Sequence, residues 1–68
     1  MEVLNSQKLK NLMIFKCMSI SQLAKAANVQ ETIIAKFLKA DSKIRLSTLG
    51  KICAALNCDG EELILNGE

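Results

Sequence analysis

The sequence predicts an all-α fold, a bundle of five short helices, and three observations carry that expectation. Half of the 68 residues are apolar, mostly Leu, Ile, Ala and Met, and Pro, Trp and Tyr do not occur. That is the composition of packed helices rather than of strands and tight turns. Apolar residues recur at three- and four-residue spacing along most of the chain, the period of a helix with one buried face. Polar residues that cap helix starts and asparagines suited to helix ends punctuate that rhythm. A chain of this length is expected to form one domain, residues 1–68, around a core worth roughly 3–5 kcal/mol net. Tight helix packing or self-association is expected to add to it.

The first helix is expected from about Asn5 to Lys16. Asn5 is an N-cap residue, Leu4 and Leu9 stand where a hydrophobic staple would, and Leu9, Leu12 and Met13 form the inward stripe. The second begins at Ser19, which forms a capping box with Gln22 while Met18 and Leu23 bracket it. At 100° per residue, Ile20, Leu23, Ala24 and Ala27 share one face and Ser21, Gln22 and Lys25 the other. It ends near Ala27, because Asn28 tolerates the left-handed conformation of a sharp turn. The third helix covers about Glu31 to Lys39, with Ile34, Phe37 and Leu38 buried and Ile33 at their flank. Glu31, Thr32, Ala35, Lys36 and Lys39 make its open face. A polar, basic connection over 40–45 leads to a fourth helix, about Leu46 to Leu56, with Leu49, Ile52, Cys53 and Leu56 inward. Asn57-Cys58-Asp59-Gly60 breaks the chain before a fifth helix over about Glu61 to Leu65.

Residues 19–37 meet the steric requirements of a helix-turn-helix in register. Two short helices that cross steeply over a tight turn need a small residue where they approach, and Ala24 supplies it. Asn28 supplies the positive φ of the turn, Val29 tucks beneath both helices, and Ile34 and Phe37 anchor the second helix. Within this frame, Ser19-Ile20-Ser21-Gln22-Leu23-Ala24-Lys25-Ala26-Ala27-Asn28-Val29 and Leu46-Ser47-Thr48-Leu49-Gly50-Lys51-Ile52-Cys53-Ala54-Ala55-Leu56 resemble the lambda-repressor-like (Cro/repressor, XRE-type) helix-turn-helix domains. The likeness covers about residues 8–65 and implies a compact five-helix bundle whose third helix lies in the major groove of duplex DNA.

By that resemblance, Glu31, Thr32, Ala35 and Lys36 occupy positions that face DNA. Ser21 and Gln22 lie near the phosphate backbone, and Lys39 and Lys43 flank the groove. Backbone amides at the starts of helices two and three can also receive phosphate oxygens. The chain departs from the family at three places. Ile20 stands where a Gln is frequent. Asn28 and Cys17 stand where Gly is frequent, so Cys17 is expected in a strained turn. Glu31 either accepts a hydrogen bond from a cytosine amino group or serves as the carboxylate favoured at a helix N-terminus. Thr32 and Lys36 are then the ordinary base readers, and weak or narrow sequence specificity is expected.

Charge is compatible with this reading. The formal net charge is +2. Residues 1–56 hold all nine basic groups against Glu2, Glu31 and Asp41, a balance of +6, whereas residues 57–68 hold four acids and no base. A basic body with an acidic tail suits a surface presented to a polyanion, although a solvated lysine-rich surface gives much the same pattern.

Other functions find little support in the residues. The chain has no His, no Gly-rich phosphate loop and no C-x-x-C pair, so neither an enzyme, a cofactor site nor a metal site is expected. Cys53 and Cys58, five residues apart, would point about 140° from one another on one helix. Cys53 is read as a small buried hydrophobe, and no structural disulfide is expected in a cytoplasmic chain. No stretch approaches the roughly 20 apolar residues of a membrane span, and Met1–Ser6 lacks the pattern of a signal peptide. The cytoplasm is the expected compartment.

Two apolar sets exceed what one small core can take: Ile14 with Phe15, and the run Leu63-Ile64-Leu65. Either would serve as a homodimer surface that sets two recognition helices roughly 34 Å apart along DNA. The expectation is therefore a homodimeric regulator of transcription, of bacterial or phage type, that binds double-stranded DNA. The alternative is a protein-interaction module of the same fold, of antitoxin or anti-repressor type.

Overall fold

A computed structural model describes residues 2–64. Among them are four α-helices: α1 (Ser6–Phe15), α2 (Ile20–Ala27), α3 (Glu31–Lys39) and α4 (Leu46–Leu56). Two short strands, β1 (Glu2–Leu4) and β2 (Ser42–Ile44), pair antiparallel with Val3 opposite Lys43. Helix α3 packs on α1 and α2, and α2 packs on α4. The all-α five-helix expectation is thus corrected in two respects. The connection over 40–45 contains a strand, and a single 3-10 turn, Gly60–Glu62, stands where the fifth helix was expected. Leu65, the expected end of that helix, lies outside the described residues.

The helix starts follow the local chemistry of the sequence. Asn5 caps α1, its side-chain oxygen accepting from the amides of Gln7 at 3.1 Å and Lys8 at 3.2 Å. Ser19 caps α2: its hydroxyl accepts from the Gln22 amide at 3.2 Å, and Gln22 Oε1 accepts from the Ser19 amide at 2.9 Å.

Three helix ends repeat one device. Helix α1 is followed by Cys17 at φ 56°, α2 by Asn28 at φ 58° and α4 by Asn57 at φ 55°, all left-handed and none of them glycine. After each, the next amide reaches back five residues: Met18 to Met13 at 2.9 Å, Val29 to Ala24 at 3.0 Å and Cys58 to Cys53 at 3.0 Å. This is the Schellman motif, in which the same two residues also bring their side chains together. In each case the earlier residue is buried and the later one half-buried against the core.

The inward stripes expected of the helices form the core. Leu9, Met13, Leu23, Ala24, Ala27, Ile34, Phe37, Leu49, Ile52, Cys53 and Leu56 are buried, and Leu4, Ile44 and Leu63 join them from outside the helices. Leu12, Ile20 and Leu38 pack on this core half-buried. The strands and the final turn explain the three additions. Leu4 lies between Ser42 and Ile64, bridged to both, and the Asn5 amide donates to the Leu63 carbonyl at 2.7 Å. The Ser6 amide donates to the Asp41 carboxylate at 2.9 Å and ties the start of α1 to the link between α3 and β2.

The two apolar sets therefore part company. Leu63 is fully buried and Ile64 half-buried, so the Leu63-Ile64-Leu65 run does not offer a free surface at its first two positions. Ile14 and Phe15 remain 68% and 81% exposed, and Phe15 does not cover the end of the bundle. Leu46, on the first turn of α4, is also 68% exposed.

Leu23→Ala is expected to cost roughly 2–5 kcal/mol, read as a collapsed or greatly lowered thermal transition. Cys17→Gly should stabilise by up to about 1 kcal/mol, since a non-glycine residue in this region costs roughly 1–2 kcal/mol, part of which glycine's unfolded-state freedom offsets. A branched residue there, as in Cys17→Val, should lower the same melting midpoint.

Candidate nucleic-acid interface

The turn between α2 and α3 sets the geometry of the site. Asn28 reverses the chain, Val29 anchors it half-buried against the core, and Gln30 becomes the N-cap of α3. Ile34 and Phe37 hold α3 down on the core, which leaves its opposite face in solvent. Glu31, Thr32, Lys36 and Lys39 are all exposed on this helix, and Ala35 is half-buried between them. Thr32, Lys36 and Lys39 follow one another at helical spacing and so share a face. Ser21 and Gln22 are exposed on the first turn of α2, and Lys43 is exposed on β2.

Not every expected contact is equally free. The carbonyl end of Gln22 is engaged in the capping box, so that side chain has only its NH2 group to offer outward. The Gln22 amide is likewise taken by Ser19. Ile20 is half-buried and packed on the core, and it presents no polar group where a Gln is frequent. Glu31 stands exposed in the first turn of α3, a favourable place for a carboxylate.

The structure adds two residues that sequence reading missed. Gln30 is exposed at the N-cap of α3 and makes no side-chain bond to the helix amides, while Thr32 Oγ1 donates to its Oε1 at 3.5 Å. Arg45 is exposed at the N-cap of α4, which likewise has no side-chain cap. The available signal was negative: neither Gln nor Arg is a good N-cap. A helix start written with such a residue leaves its first amides open. Two of the four helices are thus capped by side chains, and α3 and α4 are not. A shallow hollow lined by Ala24, Lys25, Asn28, Val29, Gln30, Glu31 and Thr32 lies along the turn.

Open amides at a helix start, a solvent-facing row of Thr and Lys, and flanking cations form a surface suited to phosphate oxygens and base edges. Fold and surface together define a helix-turn-helix protein. The family model for the Cro/C1-type helix-turn-helix DNA-binding domain matches residues 8–65, and the chain belongs to that family, one of DNA-binding domains rather than of enzymes. The crystal structure of the restriction-modification controller protein C.AhdI from Aeromonas hydrophila is similar in fold. Its TM-score is 0.78 at 21% identity, over 84% of this chain and 86% of that one. Comparison with curated proteins gives no match. No helix among the described residues is long and apolar enough to cross a membrane.

Giving α3 a side-chain cap tests whether its start is open. Gln30→Ser should stabilise the fold by about 1 kcal/mol, measured as a raised midpoint in urea or heat. An unchanged midpoint would mean that the α3 amides are already satisfied.

Proposed function

We propose that this chain is a sequence-specific, duplex-DNA-binding regulator of transcription, of bacterial or phage type, that inserts α3 into the major groove. The observation that carries this reading is the open start of α3 beside its exposed Thr32, Lys36 and Lys39. Thr32 and Lys36 contact base edges and Ala35 lies against the groove floor, while Glu31 accepts from a cytosine amino group or simply favours the helix start. Ser21, Gln22, Lys39 and Lys43 hold the phosphate backbone, assisted by the amides of α3 and by Arg45. The role stated for C.AhdI, control of a restriction-modification system, supports a regulatory reading. With few base readers per copy, specificity comes from pairing two copies on an inverted repeat. Ile14 and Phe15 are the surface proposed to join them, since Leu63 is committed to the core. Residues 1–68 act as one domain, in the cytoplasm.

The same exposed pair supports a second reading, a protein-interaction module of antitoxin or anti-repressor type that uses the fold without DNA. Selection from a pool of random duplexes separates the two. An enriched inverted repeat fits the first reading, and a chain that retards no DNA even at low salt leaves only the second. For the contacts themselves, Lys36→Ala and Lys39→Ala should each weaken binding and flatten the plot of log K against log salt by about one unit. If both affinity and slope stay at the unsubstituted values, α3 does not face the DNA.

A further inference from the structure

At the end of α4 the Schellman motif brings two thiols together. The Asn57 amide donates to the Ala54 carbonyl at 3.3 Å and the Cys58 amide to the Cys53 carbonyl at 3.0 Å. With standard bond lengths, the second contact holds the two Cα atoms no more than about 7 Å apart, at or inside the separation that a disulfide can bridge. The equivalent pairs at the other two helix ends are Met13 with Met18 and Ala24 with Val29, which make ordinary apolar contacts. Here the pair is Cys53, buried, and Cys58, half-buried, and both are free. An open hollow of about 210 Å³, lined by Cys53, Ala54, Asn57, Cys58, Asp59 and Glu62, gives access from solvent. The 140° separation applies to one helix spanning both residues; α4 ends at Leu56, and the left-handed Asn57 folds Cys58 back toward Cys53.

We propose that Cys53 and Cys58 are an oxidisable dithiol, which exchanges with a low-molecular-weight disulfide to close an intramolecular bond across the end of α4. Cys58, the more accessible, loses its proton to solvent and attacks one sulfur of the small disulfide. That disulfide's S–S bond breaks and its first half leaves as a thiol. Cys53 then loses its proton, attacks the Cys58 sulfur and expels the second half. Two electrons pass from the pair to the small disulfide, which ends as two thiols, and the Cys53–Cys58 bond replaces the bond that was broken.

The surroundings set the rate. Burial, then the neighbouring Cys53 thiol, then the carboxylates of Glu62 and Asp59 push Cys58 up to about 12, and burial also pushes Cys53 up. The Glu62 carboxylate is held in the last turn, where the Asp59 amide donates to its Oε2 at 2.9 Å. The pair therefore stays reduced against brief exposure and closes under sustained oxidation. Once closed, it clasps the turn that delivers Leu63 to the core and its carbonyl to Asn5. Redox state would then act on the persistence of the fold, with the open face of α3 left unaltered.

The test uses the folded Cys17→Gly protein, which lacks the exposed third thiol, incubated with oxidised glutathione at several pH values and followed by intact mass and peptide mapping. The expected product has lost two hydrogens within one chain, links Cys53 to Cys58, and reverts with dithiothreitol. Its rate should climb roughly tenfold per pH unit between pH 7 and pH 9, where thiolate is the minor form. The oxidised protein should melt above the reduced one. A glutathione adduct that persists on Cys58 without closing, thiols that stay reduced at pH 9, or a disulfide that lowers the melting point would each overturn the proposal.

Discussion

Left-handed backbone at three non-glycine residues is the constraint on which the rest of this small fold depends. A helix of eight to eleven residues is too short to persist by its own hydrogen bonds, so each must be turned sharply back onto its neighbours. Cys17, Asn28 and Asn57 make those reversals. Each allows the following residue to donate back into the helix and to lay a side chain on the core. The cost is uneven: Asn tolerates the region, whereas Cys17 has neither Asn's local polar interactions nor glycine's freedom. Strain at the α1–α2 turn is accepted because Met18 and the Ser19 cap must both arrive in register for α2 to start.

The N-terminal strand performs the complementary task of closing the open side of the bundle. Leu4 is bracketed by Ser42 and Ile64, and the Asn5 amide is satisfied by Leu63. These contacts join the beginning, middle and end of the described chain through one residue pair. Asp41 strengthens the join by accepting from Ser6, at a helix start where a carboxylate is electrostatically favoured. An apparently polar, basic connection thus holds a structural acid and a buried Ile44. Helix α3 precedes this segment directly, so the chain leaving it runs straight into the strand pairing.

What the sequence made legible follows from range. Helix bounds, the Ser19–Gln22 box, the Asn28 turn and the buried stripes are decided by neighbours within four or five residues, and the helical period records them. The strands were illegible because three-residue segments carry no usable period, and β1 acquires its partner only when β2 folds alongside it. Leu63 looked superfluous for the same reason: its site in the core is built by Leu4 and the last turn rather than by its own helix. The approach of Cys58 to Cys53 was illegible because the left-handed Asn57, not the helical period, makes it. In the interface, the exposed face of α3 was legible from amphipathicity. The uncapped starts at Gln30 and Arg45 were not, because an uncapped helix start is defined by a bond that is missing.

That pattern of capping bears on how such a domain divides its stability between fold and ligand. Helices α1 and α2 have amides satisfied by Asn5 and Ser19 within the chain, while α3 and α4 begin at Gln30 and Arg45 with no side-chain cap. An unfilled cap forgoes about 1 kcal/mol, which a 68-residue chain has little reason to forgo by accident. On the proposed reading, phosphate oxygens occupy these starts when DNA is bound, with Lys36, Lys39, Lys43 and Arg45 as counter-charges. Binding would then complete the two helices that the sequence leaves open. The helix-turn-helix, closed at its turn by the Val29-to-Ala24 bond, would be tightened by its ligand at the starts of α3 and α4.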